Sequence, residues 1–204
     1  MAGLPTPLAY SALVSRYDDE IWRLVPEDPG PPEAHLAEFV RSLPGVERAL
    51  DVGCGDGRLT VELCAAAITA ADVSEVAMER ARRRLPDAEL VLIEPDEPLP
   101  FEDNAFDLVL CAETIEHVRD VQLLLSEARR VLRPGGRLAL TTPAHGRLTG
   151  LDVLVRGFER RFDPLSPHVR FFTARSLAGV LDGLGFDVSA RRRRARTLLV
   201  EAGR

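Results

Sequence analysis

Glu113, Glu116 and His117 stand at i, i+3 and i+4 in "CAETIEHV", a spacing that sets two carboxylates and an imidazole on one face of a helical turn. Three uses of that face are open. His117 can act alone as a general base, since an imidazole with an ordinary pKa near ~6.5 accepts a proton at neutral pH. Alternatively, Glu113, Glu116 and His117 hold a divalent cation, with His168 of "SPHVRFFT" as a fourth ligand. Mixed oxygen and imidazole donors suit Mg2+ or Mn2+ better than zinc. In the third use Glu116 is solvated and His117 merely caps or packs. His145, in "TTPAHG", is a further catalytic candidate, although a loop histidine is as readily structural. His35, on an N-terminal helix, is read as structural.

A second set of residues could seat a ligand. "ALDVGCGDGRL", residues 49–59, is an apolar run that turns into three glycines. A dinucleotide fingerprint needs a sixth-position glycine, where Arg58 stands, and a P-loop needs a lysine, of which the chain has none. Both phosphate ligands are therefore disfavoured, while close backbone approach by an adenosine without phosphates is still allowed. Asp72, fifteen residues after Gly57, would end the next strand and can accept hydrogen bonds from both ribose hydroxyls. Its other use is to cap the following helix, which Ser74 can do itself.

These residues need elements to carry them. Residues 8–25 and 33–43 read as helices, separated by the proline-rich "PEDPGPP". Beyond them, short apolar runs alternate with helical ones. Strands are expected at "RALDVG", "AAITAADV", "AELVLI", "FDLVLCA" and "GGRLALTT", with helices at "RLTVELCAA", "SEVAMERARRRL" and "DVQLLLSEARRVL". This alternation predicts a parallel sheet with helices on both faces, whose ligands lie outside the strands' carboxyl ends where strand order reverses. Residues 143–172 break the rhythm as an insertion, with an amphipathic helix around 151–162. A last helix, "TARSLAGVLDGLG", leads to strands "FDVSA" and "ARTLLVEA", with the arginines between them in an exposed turn.

At 204 residues and 46% apolar the chain suits one domain, with 1–45 as a helical cap. Cys54, Cys64 and Cys111 read as reduced thiols, and the N-terminus has no signal-peptide pattern, so a cytoplasmic protein is expected. No run is long and apolar enough for a membrane span. All basic residues are arginine, and the net charge of −6 disfavours generic attraction to nucleic acid.

Taken in order, "ALDVGCGDGRLT", "ADVSEVAMERA", "PLPFEDNAFDLVLCAETIEHV" and "EARRVLRPGGRLALTTP" resemble the successive motifs of class I S-adenosylmethionine (SAM)-dependent methyltransferases, in particular the ubiquinone-biosynthesis O-methyltransferase and methyltransferase type 11 group. The resemblance spans about residues 46–190. It implies a Rossmann-like, doubly wound α/β fold whose seven-stranded, mostly parallel sheet has an antiparallel last strand. It also implies that Asp51, Gly53, Gly55 and Gly57 line the methionine part of SAM and that Asp72, with Val73 beside it, holds the ribose. Cys111 borders the same cofactor site without a nucleophilic role. An acidic residue before "LPF" meets the adenine, with Asp96 the candidate beside Glu94 and Glu97. The stretch from Gly57 to Asp72 is about two residues shorter than the family's. E-x-x-E-H with a distant histidine further resembles the metal site of small-RNA 3′-terminal 2′-O-methyltransferases.

The leading expectation is methyl transfer from SAM to an oxygen of a small molecule: a secondary metabolite, a sugar or a quinone-like phenol. RNA 2′-O-methylation and a non-catalytic SAM-binding regulator are the rivals. The 143–172 insertion, with Phe158, Phe162, Phe171 and Phe172, would roof the acceptor pocket as a lid or form a homodimer contact.

Overall fold

The computed structural model describes residues 7–158 and 166–204. Helices α1 (Pro7–Leu24) and α2 (Ala34–Arg41) precede β1 (Val46–Val52), β2 (Ala65–Asp72), α3 (Glu75–Arg84), β3 (Glu89–Leu92) and β4 (Phe106–Ala112). Then follow α4 (Val121–Val131), β5 (Leu132–Pro143), α5 (Arg147–Arg156), α6 (Ala174–Gly183), β6 (Asp187–Arg194) and β7 (Thr197–Gly203). The seven strands form one sheet in the order β3-β2-β1-β4-β5-β7-β6. Strands β1 to β5 pair in parallel, and β7 runs antiparallel to both its neighbours, β5 and β6. The expected α/β fold with an antiparallel last strand is present. Strand order reverses between β1 and β4, the place where ligand-binding loops diverge.

The strands read as apolar runs because both faces are covered. Leu50, Val52, Val109, Leu138, Leu140, Leu198 and Val200 pack on the face held by α4 and α6. Ala49, Leu108, Leu110, Ala139 and Leu199 pack with α2 on the other, where α3 also lies through Ala70, Met78 and Ala81. Asp107 aligns β1 with β4: its carboxylate accepts the backbone N–H groups of Glu47 and Arg48 at 3.0 and 2.8 Å.

Two local expectations are corrected. "RLTVELCAA" forms only a 3-10 turn at Thr60–Glu62, because β2 already begins at Ala65 and leaves no length for a helix. The arginines at 191–194 are not the hairpin turn; they belong to β6, paired residue by residue with β7, and the turn is Ala195 and Arg196 with Ala195 at φ 50°. Two-residue hairpin loops favour such positive φ.

Candidate functional site

The glycine loop follows β1 at the strand-order reversal. Gly53, Gly55 and Gly57 have φ of 75°, 55° and 80°, where residues with a Cβ are strained. Each also has a close neighbour. A Cβ on Gly53 would meet the Thr114 side chain at 2.3 Å, one on Gly55 the Trp22 ring at 2.5 Å, and one on Gly57 Leu85 at 2.7 Å. The loop is thus pressed between β4's end, α1 and α3. Arg58, in place of a fourth glycine, folds back so that its Nε donates to Asp56 Oδ1 at 3.0 Å.

Asp72 ties this loop to the next one. Its Oδ2 accepts the Gly55 N–H at 2.8 Å and its Oδ1 the Ser74 N–H at 2.9 Å. The two structural bonds leave further lone pairs on each oxygen. Burial raises its pKa despite those bonds. Asp51, buried one strand away, accepts from the Thr60 hydroxyl at 2.6 Å, and burial pushes its pKa up to about 7. Cys111 is buried, which drives its thiol pKa far up.

Sequence reasoning placed a helix at residues 8–25 but missed the part that α1 plays at the site. Asp19 Oδ1 accepts the Ser74 hydroxyl at 2.6 Å and the Val76 N–H at 3.2 Å, while Ser74 Oγ caps α3 by accepting the Ala77 N–H. Asp18 lies close enough to Asp72 and Asp19 that burial and their charges raise its pKa to about 6. Ser15, Asp19, Arg23, Val73, Ile93 and Glu94 are among the residues lining a cleft of about 670 Å³ beyond the ends of β2 and β3. Val73 and Glu94 therefore meet in one cavity. Asp96 is exposed and spends Oδ1 on the Asp120 N–H at 3.3 Å, at the start of α4. Neither Asp96 nor Glu97 lines the cleft.

Across the reversal, the end of β4 carries the chemical cluster. Glu113 has φ 51°; Thr141 accepts its N–H, and its Oε1 accepts the Thr141 hydroxyl at 2.8 Å. Glu116 is buried and its Oε2 accepts the Thr142 hydroxyl at 2.9 Å. Oε1 of Glu116 has no hydrogen-bond partner among the described residues and lies 4.0 Å from His117 Nε2. Burial, then the Glu113 charge, lifts Glu116 to about 8. His117 Nδ1 is 3.1 Å from the Pro167 carbonyl, so Nδ1 carries the proton and Nε2 keeps its lone pair. Burial and the neighbouring His168 lower His117 to about 4. The two imidazoles meet edge to face at 4.8 Å.

One donor atom each from Glu116, His117 and His168 lie within 4.8 Å of one another. Three of the four expected metal ligands therefore converge; Glu113 does not join them, being held by Thr141. The segment bearing His168 is pinned there, since the Glu116 carbonyl accepts the N–H groups of Val169 and Arg170. His145 lies beyond β5, its N–H on the Phe172 carbonyl and its ring 5.1 Å from Phe171. Of the four phenylalanines expected to form a lid, Phe172 is buried in the core, Phe158 and Phe171 are exposed, and Phe162 lies outside the described residues.

Comparison with known proteins agrees with this architecture. Residues 50–140 match the family described as "Methyltransferase domain". The chain is 38% identical over 102 residues to 27-O-demethylrifamycin SV methyltransferase of Amycolatopsis mediterranei, covering 46% of this chain and 38% of that protein. It is 36% identical over 123 residues to demethylmenaquinone methyltransferase of Tropheryma whipplei, covering 56% and 51%. The chain thus spans between about a third and a half of the length of such curated relatives. The solved [4+2]-cyclase SpnF superposes with a TM-score of 0.75 at 18% identity over 100% of this chain and 99% of its own, a likeness of fold alone. No described helix is long and apolar enough to cross a membrane. The matched residues 50–140 hold the glycine loop, Asp72 and the Glu113–His117 turn, and over them the chain is similar to methyltransferase domains.

Proposed function

We propose that the protein is a SAM-dependent methyltransferase that methylates an oxygen of a small-molecule acceptor. One observation carries this reading: the glycine loop with Asp72 on one side of the β1/β4 reversal faces, on the other, a turn bearing Glu116 and His117, with His168 brought beside it from a later segment. SAM supplies an already electrophilic methyl when bound, so the chain's task is to orient the acceptor and manage its proton. Asp72 would hold the ribose hydroxyls. Val73 and Glu94, rather than Asp96, would border the adenine in the cleft beneath α1. Asp51 and Gly53, Gly55 and Gly57 would line the methionine end.

Two roles for His117 follow. As a general base, its Nε2 takes the acceptor's proton while Pro167 fixes the tautomer. A pKa near 4 makes that transfer poorly driven at neutral pH. A specific observation favours a second role: the buried Oε1 of Glu116, without a hydrogen-bond partner among the described residues, lies 4.0 Å from Nε2 of His117. Glu116 Oε1, His117 and His168 would hold a divalent cation, and the chemistry it would supply there is Lewis-acid polarisation of an oxygen. One carboxylate and two imidazoles suit Mn2+ better than Mg2+. Glu113 and His145 then act from outside that set, Glu113 by shaping the turn.

The relatives named above act on a rifamycin and on demethylmenaquinone, which supports a small, ring-bearing acceptor. The exposed apolar residues Leu151, Leu154, Val155 and Phe158 on and after α5 support a lid over that acceptor or a homodimer contact. A cytoplasmic setting accords with the free cysteines. Calorimetric titration with SAM, S-adenosylhomocysteine and NAD, with and without Mn2+, tests the reading. Binding of both sulfur ligands but not NAD is expected; no binding of SAM overturns it.

A further inference from the structure

The arginine run of β6 is placed where an acceptor must approach. Because β7 is antiparallel to both neighbours, β6 runs in the same direction as β5, and its last residues reach the same carboxyl edge as the candidate site. The register makes this concrete. Thr142, whose hydroxyl holds Glu116, pairs with Leu198, which pairs with Arg193. Pro143 pairs with Thr197, which pairs with Arg194. Two strand spacings, about 10 Å, therefore separate these backbones, and residues directly opposed across a ladder share a face. Arg193 projects on the face of Thr142, and Arg194 on the opposite one. The turn closes on the site as well, since the Arg196 carbonyl accepts the N–H of Ala144, next to His145.

The charges are also uncommitted. Arg192 pairs with Glu201 at 2.9 Å, but Arg191, Arg193, Arg194 and Arg196 are exposed and make no ion pair among the described residues. In a chain of net charge −6, with carboxylates to spare, four such arginines clustered at one edge stand out. Charges on an edge strand also discourage edge-to-edge pairing. That role would be met anywhere along β6, yet its amino-terminal half, Asp187 to Ala190, has no arginine.

We propose that Arg193, on the face of Thr142, and Arg196, in the turn, form a recognition site for an anionic group, carboxylate or phosphate, on the small-molecule acceptor, with Arg194 adding positive charge from the opposite face. The inference rests on the methyltransferase reading for its word acceptor, and on the sheet register for the site. Guanidinium groups suit it, since they stay charged and grip carboxylates or phosphates through paired N–H groups.

The test is calorimetry on the full chain saturated with S-adenosylhomocysteine, using as probes 3,4-dihydroxybenzoate, its uncharged amide and inorganic pyrophosphate. R193Q/R194Q is compared with R82Q/R83Q, a control on the exposed arginines of α3. Both anions are expected to bind the unaltered chain and the control more tightly than the amide binds. Affinity should fall on the order of ten-fold in R193Q/R194Q, the scale of a lost charge-assisted pair. Anion binding that is absent, or equal in both variants, overturns the proposal. So does a short single-stranded RNA that binds at least ten-fold more tightly than either small anion and loses that affinity in R193Q/R194Q. S-adenosylhomocysteine binding is measured first, so its failure counts against the methyltransferase reading alone, and pyrophosphate still tests the arginines.

Discussion

Replacing Gly55 by alanine tests how the cofactor loop is held, because two separable costs meet at that residue. Its φ of 55° is a conformation that costs a residue bearing a Cβ about 1–2 kcal/mol. The new methyl would also stand 2.5 Å from Trp22 Cζ2, an overlap whose relief costs a further ~1–3 kcal/mol. In a Trp22→Ala background the ring is gone and only the first cost remains. G55A is therefore expected to destabilise the native chain by about 2–5 kcal/mol in urea unfolding and the W22A chain by about 1–2 kcal/mol, a coupling of at least ~1 kcal/mol. The overlap can be relieved by moving α1 or by moving the loop. Trp22 is the chain's only tryptophan, and its ring lies 5.8 Å from Arg80 Cζ. A red-shifted emission in G55A means that α1 has lifted. Unshifted emission with weakened S-adenosylhomocysteine binding means that the loop has moved and loosened the Gly55–Asp72 bond. Equal destabilisation by G55A in both backgrounds would refute the packing of Trp22 on the loop.

Asp51 should make stability pH-dependent. Its folded pKa near 7 exceeds the unfolded value of 3.8, so its contribution is fully present below about pH 4 and is lost as pH rises through 7. D51N should flatten that part of a stability–pH profile, and an unchanged profile assigns the slope elsewhere. Mn2+ at millimolar concentration should raise the melting temperature of the native chain but not of H168A; no rise in the native chain removes the cation role. H117N should lower kcat at least a hundred-fold with S-adenosylhomocysteine affinity unchanged, and a variant that retains most activity excludes both roles of His117. Arg130 joins Glu127, Asp103 and the carbonyls of Leu99 and Phe101, so R130M should cost about 2 kcal/mol of unfolding free energy.

What could be read in advance was whatever depends on neighbours in sequence. The apolar runs of β1, β4 and β5 are legible because both sheet faces are covered, and Ser74 and Thr173 cap their helices from one turn away. Errors came where a local pattern was overruled by length or by pairing. "RLTVELCAA" has helical periodicity but too few residues before β2, and the arginines of β6 look like a turn until β7 pairs with them. The role of α1 was hidden for a different reason. Asp19 meets Ser74 across 55 residues, and an Asp-Asp pair on an amphipathic helix gives no sign of which distant N–H it will cap. The lone tryptophan beside that pair was the available signal.

The two ends of the site are also encoded differently. At the proposed cofactor end, three glycines, an aspartate and backbone N–H groups lie within residues 51–74, so one contiguous stretch specifies the geometry. At the proposed acceptor end, the Glu116–His117 turn, His145, His168 and Arg193 come from four separate segments, joined by a few bonds such as Thr142 to Glu116 and Val169 to the Glu116 carbonyl. Few of those bonds fix the backbone of the sheet. A changed residue there can therefore alter which molecule is bound while β4 and β5 keep their register. A family match confined to residues 50–140 leaves Arg193 and His168 outside it, and these are the residues whose substitution should change acceptor choice without changing affinity for the cofactor.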